Sequence, residues 1–211
     1  MPPQPPIFSW VVFLTLLVIC GSSLVMFLLL VRRWTTQRQW VSLAEWARQR
    51  EFRFRPKRRM DLPPPLESLR NSNVRIRMYL SGEGVDILQL ETQAIADTLQ
   101  PNRWNVLARR RVKRHAAPAG LRPANAPGSL LDLYGLSQFP SLAVGHRFAL
   151  LATSSSSAHA LADSASRTLL PADLGMLLID DWIVLDFSAR PFDPIELDRV
   201  IGLAQQLSLM L

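Results

Sequence analysis

A dense group of basic residues in the middle of the chain has the composition of an anion-binding segment. Residues 109–115 read RRRVKRH and supply five positive side chains, which we call the basic cluster: Arg109, Arg110, Arg111, Lys113 and Arg114. Side chains at this density can neutralise phosphate groups, and each contact adds to the affinity and to its salt dependence. The candidate ligands are anionic lipid headgroups and nucleic acid, and the alternative is a solvated strand end.

Nucleic acid is the less well supported of these two candidate ligands. No nucleic-acid-binding motif accompanies the basic cluster, and no aromatic residues alternate with its arginines to stack on bases. Anionic lipid is the better candidate because the chain also carries a long apolar segment near its N-terminus.

Other polar residues that could support catalysis have structural explanations. Ser154–Ser157 lack the glycines of a nucleophile elbow or a phosphate-binding loop, and they suit the start of a helix. Asp180 and Asp181 precede a predicted strand where a turn is expected, and Asp186 lies near the end of that strand. Paired carboxylates would need a third partner and a cleft for acid–base work.

Metal binding is not indicated either. His115, His146 and His159 lie on different predicted elements without the spacing of metal ligands, and Cys20 is the single cysteine. Since no nucleophile, base and orienting group can be named together, we expect a non-enzymatic protein without a cofactor or metal.

The N-terminal segment is long and apolar enough to cross a membrane. No charged side chain occurs from Met1 to Val31. As a helix, residues 7–31 would reach roughly 37 Å, against about 30 Å for the hydrocarbon core of a bilayer. We predict a short outer tail at residues 1–6 and a transmembrane helix at residues 7–31.

Cys20, within LVICGSS at residues 17–23, raises the alternative of a lipoprotein anchor. That signal needs a basic start, a small residue before the cysteine and a polar tether after it. Here no Lys or Arg precedes Cys20, bulky Ile19 lies next to it, and the chain continues as LVMFLLLV. A cleavable secretory signal lacks support for similar reasons. We interpret Cys20 as a membrane-buried residue of a retained anchor.

Flanking charges predict the orientation of this helix. Residues 32–59 hold ten basic residues against Glu45 and Glu51, whereas no basic residue precedes the helix. By the positive-inside rule, the N-terminus lies outside and the main domain lies in the cytoplasm, at the cell (inner) membrane. The predicted membrane-interface anchors are Trp10, Arg32, Arg33 and Trp34.

The rest of the chain is long enough for one domain with its own core. Charge is uneven, because residues 32–115 carry a net charge of +11 and residues 120–211 a net charge of −4. We expect a basic amphipathic juxtamembrane helix over residues 32–50 and a cytoplasmic domain over residues 51–211. The apolar stripe of that helix would contain Trp40, Leu43, Ala44 and Ala47.

Alternating hydrophobicity predicts the first strands of the domain. A short strand is expected near Phe52 and Phe54, and a β-hairpin over residues 74–90. In the hairpin, Tyr79 should face away from four apolar side chains: Val74, Ile76, Met78 and Leu80. Another strand is expected around residues 104–107, and the Pro, Gly and Ala content of residues 117–128 predicts an exposed loop.

The C-terminal third predicts a strand at residues 146–153, a helix after it, a buried strand at residues 182–188 and a final helix. Asp193 is the expected N-cap of that last helix, with Pro194 at its first position and Glu196 placed to complete a capping box. Its apolar stripe would contain Leu197, Val200, Ile201, Ala204, Leu207 and Leu211.

Five segments follow one another in a recognisable order: WVSLAEWARQREFRF, RFALLAT, a helix ending RTLLPADLGMLL, WIVLDFS and DPIELDRVIGLAQQL. This order resembles a loosely defined group of bacterial single-pass membrane proteins of uncharacterised function, over most of residues 34–207. The resemblance implies an α+β cytoplasmic domain. From the predicted elements we expect this mixed domain to have an antiparallel sheet and packed C-terminal helices. It provides no catalytic residue.

These observations predict a single-pass membrane protein with a cytoplasmic, non-enzymatic interaction or scaffold domain, acting in envelope or membrane-protein assembly. Its partners would be the lipid bilayer and other membrane or envelope proteins. The alternative is an anionic-lipid or nucleic-acid binding module that uses the basic cluster.

Overall fold

The computed structural model describes residues 7–54, 63–71, 74–92, 103–110, 118–124, 142–144, 147–154, 161 and 169–210. The chain forms two compact units, Met1–Glu45 and Trp46–Leu211. The predicted helix after Ser154 and the predicted outer tail lie almost wholly outside the described residues.

The first helix, α1, extends over Ile7–Gln49. Within it, the 20 residues Val12–Val31 have a mean hydropathy of 2.7, and none of that segment is buried. This is the one helix among the described residues that is long and apolar enough to cross a membrane.

The predicted amphipathic juxtamembrane helix is not confirmed as a separate element, because α1 continues through residues 32–49 without a break. No Gly or Pro occurs between Val31 and Gln49 to interrupt it. The predicted stripe is half right, since Leu43 and Ala47 are buried but Trp40 and Ala44 are exposed.

A mixed α+β fold follows α1, with an antiparallel sheet and one described C-terminal helix, and confirms this part of the predicted fold class. The nine strands among the described residues form one sheet in the order β1-β2-β3-β4-β9-β8-β5-β7-β6, and every neighbouring pair is antiparallel. The strands are β1 Arg53–Phe54, β2 Val74–Gly82, β3 Val85–Thr92, β4 Arg103–Arg110, β5 Ala119–Pro123, β6 Leu142–Val144, β7 Phe148–Ala152, β8 Gly175–Ile179 and β9 Trp182–Asp186. A 3₁₀ helix covers Pro64–Asn71, and the last helix, α2, covers Pro194–Met210.

Both faces of the central strands are buried. One face carries a core cluster that includes Leu66 from the 3₁₀ helix, Leu88, Trp104, Val106 and Val184. The α2 helix contacts β4 and β9 and buries the face formed by its stripe of Leu197, Val200, Ala204 and Leu207. A strand that is buried on both sides has a nearly continuous run of apolar residues in its sequence, as in the WIVLD of β9.

The predicted β-hairpin is present, but a bulge changes which residues share a face. The β2–β3 register shifts between Ile76 and Met78, and an extra residue on one strand moves all later side chains to the opposite side. Tyr79 therefore joins the core cluster, against which Val74 and Ile76 pack. The prediction that Tyr79 faces away from Val74 and Ile76 was wrong.

Residues 117–128 are not an exposed loop over their whole length. Ala119–Pro123 form β5, in which Ala119 and Leu121 are fully buried, between β8 and β7 in the sheet. Small residues and a terminal proline hid this strand in the sequence. Pro123 is tolerated because the pairing with β8 ends at Leu121.

A helix was predicted to end in RTLLPADLGMLL, but the GMLL at its end belongs to a strand, so this prediction was wrong. Gly175–Ile179 form β8, which pairs with β9 in a hairpin closed by Asp180 and Asp181. Asp180 has a φ of 49°, a left-handed conformation that aspartate tolerates better than most residues. The turn that the sequence predicted before Trp182 is therefore confirmed.

Within the second unit, the end of α1 is bound to α2. Trp46 stacks on Phe52 with ring centroids 5.3 Å apart, and its indole N–H donates to Asp198 Oδ1 at 3.0 Å. Arg50 donates to Oδ2 of the same carboxylate at 3.1 Å. Asp198 therefore holds the last turn of α1 and the residue that follows it by two hydrogen bonds from different side chains.

Two glycines allow a test of this packing. A Cβ at Gly82 would lie 2.7 Å from the Phe52 ring, which Trp46 holds by stacking, whereas a Cβ at Gly202 in α2 would meet nothing within 4 Å. We expect Gly82→Ala to lower the free energy of unfolding by about 1–3 kcal/mol. Gly202→Ala should raise it by about 0.5–1 kcal/mol through helix propensity.

The measurement is denaturant unfolding of the full chain in detergent, with the two variants serving as controls for each other. Equal effects of the two substitutions would contradict the packing of Phe52 against Gly82.

Candidate functional site

The predicted membrane-interface tryptophans lie on exposed parts of α1. Trp10 and Trp34 are 61% and 55% exposed. The Trp10 ring makes an edge contact with Phe13 at 6.4 Å, and the Arg38 guanidinium lies 3.7 Å from the Trp34 ring centroid. Arg32 and Arg33 belong to the continuous helix α1. Sequence reasoning did not single out Arg38, although the four-residue spacing from Trp34 was available as a signal.

The basic cluster begins where β4 ends. Arg109 and Arg110 are the last two residues of β4, and their side chains point to opposite faces of the sheet because strand residues alternate. Arg109 Nε donates to Ser208 Oγ on α2 at 3.3 Å. Arg110 Nε donates to Asp181 Oδ2 in the β8–β9 turn at 2.8 Å.

These contacts reduce the capacity of the first two arginines to bind an external anion. Arg110 is paired with a carboxylate, although its side chain is 70% exposed. The first two residues of the basic cluster therefore lie on opposite faces of the sheet. Arg111, Lys113 and Arg114 lie outside the described residues, as do His115, His146 and His159.

The most extensive charged network among the described residues surrounds Arg190, in the loop between β9 and α2. Its Nε and Nη2 donate to the two carboxylate oxygens of Asp173 at 2.6 and 2.8 Å, a paired geometry that strengthens such contacts. Its Nη1 donates to Glu196. Arg199 donates to the second Glu196 oxygen at 3.4 Å.

The N-cap of α2 is confirmed, but the capping box is only half formed as predicted. Asp193 Oδ1 accepts from the Glu196 N–H at 2.9 Å, as an N-cap side chain should. The Glu196 carboxylate instead binds Arg190 and Arg199. This carboxylate is 8% exposed, and a buried charge requires such partners.

Polar contacts behind Arg190 hold the same loop to the sheet. Asn105 on β4 donates through its Nδ2 to the Arg190 carbonyl at 3.0 Å, and its Oδ1 accepts from Gln89 on β3 at 3.2 Å. Asp186 Oδ1 accepts from both the backbone N–H and the hydroxyl of Ser188. Each of these polar groups therefore fixes the course of the loop that leads into α2.

The acidic residues that the sequence raised as catalytic candidates are separated by these roles. Asp181 binds Arg110 in a turn, and Asp186 binds Ser188 at the end of β9. Sequence reasoning missed Asp173 and Arg190, whose meeting depends on two loops being joined by the β8–β9 hairpin. No group of three or more metal-binding side chains converges within the described part of the chain.

Comparison with known proteins assigns no family to this chain. The chain matches no protein-family model, no curated protein and no solved structure. The described residues define a mixed α+β protein whose N-terminal helix is long and apolar enough to cross a membrane.

The Asp173–Arg190 pair predicts a specific acid dependence of stability. The hydrogen bonds from Arg190 lower the pKa of the Asp173 carboxyl from its ordinary value of 3.8. A lowered folded-state pKa contributes stability that is present above pH 3.8 and is lost as the pH falls through the lowered value. Asp173→Asn should therefore be less stable than the parent at neutral pH, with a smaller difference in strong acid.

Thermal unfolding of the full chain in detergent, at neutral pH and across the acid range below 3.8, measures this difference. Arg190→Lys, which keeps the charge but loses the paired geometry, should fall between the parent and Asp173→Asn at neutral pH. A constant difference between parent and Asp173→Asn at every pH would contradict the assignment.

Proposed function

We propose that this protein is anchored by one membrane-spanning helix and that its α+β domain is a cytoplasmic, non-enzymatic interaction or scaffold domain. Its partners are other membrane or envelope proteins, and its process is envelope or membrane-protein assembly. The observation that carries the proposal is the apolar, wholly exposed segment Val12–Val31 of α1. Exposing so many apolar side chains to water would be costly, and a bilayer removes that cost.

The flanks of this segment support the cytoplasmic placement of the domain. Basic residues concentrate after Val31 and are absent before it, which is the asymmetry of a helix whose C-terminal side faces the cytoplasm. Trp10 and Trp34 are exposed near its two ends, where amphipathic aromatic rings occupy the headgroup layer.

An interaction role for the domain is supported by how its polar residues are used. Asp180 and Asp181 form a turn, Asp193 caps a helix, and the Arg190 side chain joins Asp173 to Glu196. These contacts build a stable surface.

Anionic-lipid binding through the basic cluster is the second candidate, favoured by the 70% exposure of the Arg110 side chain. Lipid binding at Arg110 would compete with the Arg110–Asp181 ion pair. Exposed ion pairs of this kind stabilise a protein by only about 0–1 kcal/mol. An anionic surface could displace Asp181, but breaking the ion pair would offset most of the roughly 1 kcal/mol that the Arg110 charge contributes near such a surface.

The orientation is testable with a reporter that is active only in the cytoplasm. Fused after Leu211, the reporter should be active, and fused before Met1 it should be silent, because the basic flank follows the helix. Moving Arg32 and Arg33 to the N-terminal side should reduce or invert the asymmetry. Activity at the N-terminal fusion alone would overturn the cytoplasmic placement.

Vesicle binding separates the two candidate functions. We would express Trp46–Leu211, the second compact unit, and replace the five basic-cluster residues with Gln. Arg109 and Arg110 are already bonded within the domain, so most of the loss should come from the other three charges. At about 1 kcal/mol per charge, affinity for phosphatidylglycerol vesicles should fall by roughly two orders of magnitude.

The matched control replaces another five basic residues within seven positions: Arg53, Arg55, Lys57, Arg58 and Arg59. Equal losses in the two variants would show that binding follows total charge. An oligonucleotide titration at the same ionic strength tests nucleic acid. If the parent unit binds neither vesicles nor oligonucleotides, the protein-interaction proposal stands alone.

A further inference from the structure

The contact between Trp34 and Arg38 lies just beyond the apolar segment of α1. That segment ends at Val31, and Trp34 follows three residues later, which is about 4.5 Å along a helix. The polar headgroup layer of a bilayer is roughly 5–7 Å thick on each side of the hydrocarbon core. If Val12–Val31 spans the core, the Trp34 ring therefore lies at headgroup depth.

The guanidinium of Arg38 reaches the headgroup layer only because its side chain points back towards the N-terminus. Its Cα lies about 10 Å beyond Val31, which is past the headgroups. Long helical side chains point back towards the N-terminus, and here the guanidinium lies over the Trp34 ring, 3.7 Å from its centroid. The guanidinium therefore lies about one helical turn closer to the hydrocarbon core than the Arg38 backbone, at the depth of the lipid phosphates.

The chemistry of the stacked pair fits a phosphate ester. A guanidinium that lies over an aromatic ring keeps its N–H groups at the edge of the plane, where they can donate to phosphate oxygens. Among the described residues, Arg38 contacts the Trp34 ring, and its side chain lies on the exposed surface of α1. The indole supplies the apolar contact with the adjoining acyl chain.

We propose that Trp34 and Arg38 form a binding site for a lipid phosphate, with preference for anionic lipids such as phosphatidylglycerol. This site rests on the proposed membrane anchoring and adds the ligand class and Arg38 to it. The ligand is a lipid and not free phosphate, because the acyl chains fix the phosphate at the depth where the guanidinium is held.

The test uses the full chain in mild detergent, titrated separately with phosphatidylglycerol and phosphatidylcholine and followed by native mass spectrometry. Arg38→Gln should lose about fivefold in affinity for phosphatidylglycerol, which corresponds to about 1 kcal/mol for one charge. Trp34→Leu, which keeps the charge but removes the ring, should lose less. The control Arg75→Gln removes an exposed arginine of β2 and should leave the affinity unchanged.

Each other outcome overturns the proposal in a distinguishable way. Unchanged affinity in Arg38→Gln, or equal losses in Arg38→Gln and Arg75→Gln, would exclude a specific site at Arg38. Displacement of phosphatidylglycerol by inorganic phosphate would identify a free-anion site instead of a lipid site. Extraction of the parent chain from membranes by alkaline carbonate would refute the membrane anchoring itself, and this is measured independently of lipid affinity.

Discussion

The second unit depends on burying both faces of β4 and its partner β9. On one face Trp104, Val106 and Val184 join the core cluster, and α2 packs against the same two strands. A strand with two apolar faces has no side that tolerates water, so the sheet is stable only with a covering layer on each side. The 3₁₀ helix contributes Leu66 to one layer, and α2 provides the other with its stripe from Leu197 to Leu207. Hydrophobic burial in this arrangement sets the positions that the polar contacts then refine.

The polar contacts act mainly on the segment that connects β9 to α2. Because the hairpin of β8 and β9 places Asp173 beside Arg190, one guanidinium can bind the loop before β8 and Glu196 in the first turn of α2. Asn105 fixes the backbone of the same loop from β4. Buried or half-buried charges are tolerated where their hydrogen-bonding groups are satisfied. The start of α2 is thereby held in the register that directs its apolar stripe at the sheet.

The same register connects the core to the end of α1 and to the basic cluster. Asp198, in the second turn of α2, accepts hydrogen bonds from Trp46 and Arg50, while Ser208 near its end accepts from Arg109. A change in the docking of α2 would alter both contacts at once, since a helix moves as a rigid element. The basic end of β4 is therefore fixed relative to α2. The candidate lipid contact at Trp34 and Arg38 depends instead on helix geometry alone.

Patterns that depend on neighbouring residues were predicted from the sequence by itself. The apolar segment, the β2–β3 hairpin, β4, β7, β9 and the capped helix α2 follow from local hydrophobicity, turn glycines and Asp193, because each is determined within a few residues. Tertiary structure decided the remainder. Ala119–Pro123 became a buried strand because β7 and β8 supply its hydrogen bonds, and Tyr79 entered the core because a bulge shifted the register. Asp173 binds Arg190 because the pairing of β8 with β9 brings together two loops that are distant in the sequence. For the same reason Glu196 binds Arg190 instead of completing the predicted capping box. Such contacts carry no local signature, since the free energy that forms them comes from partners brought together only by folding.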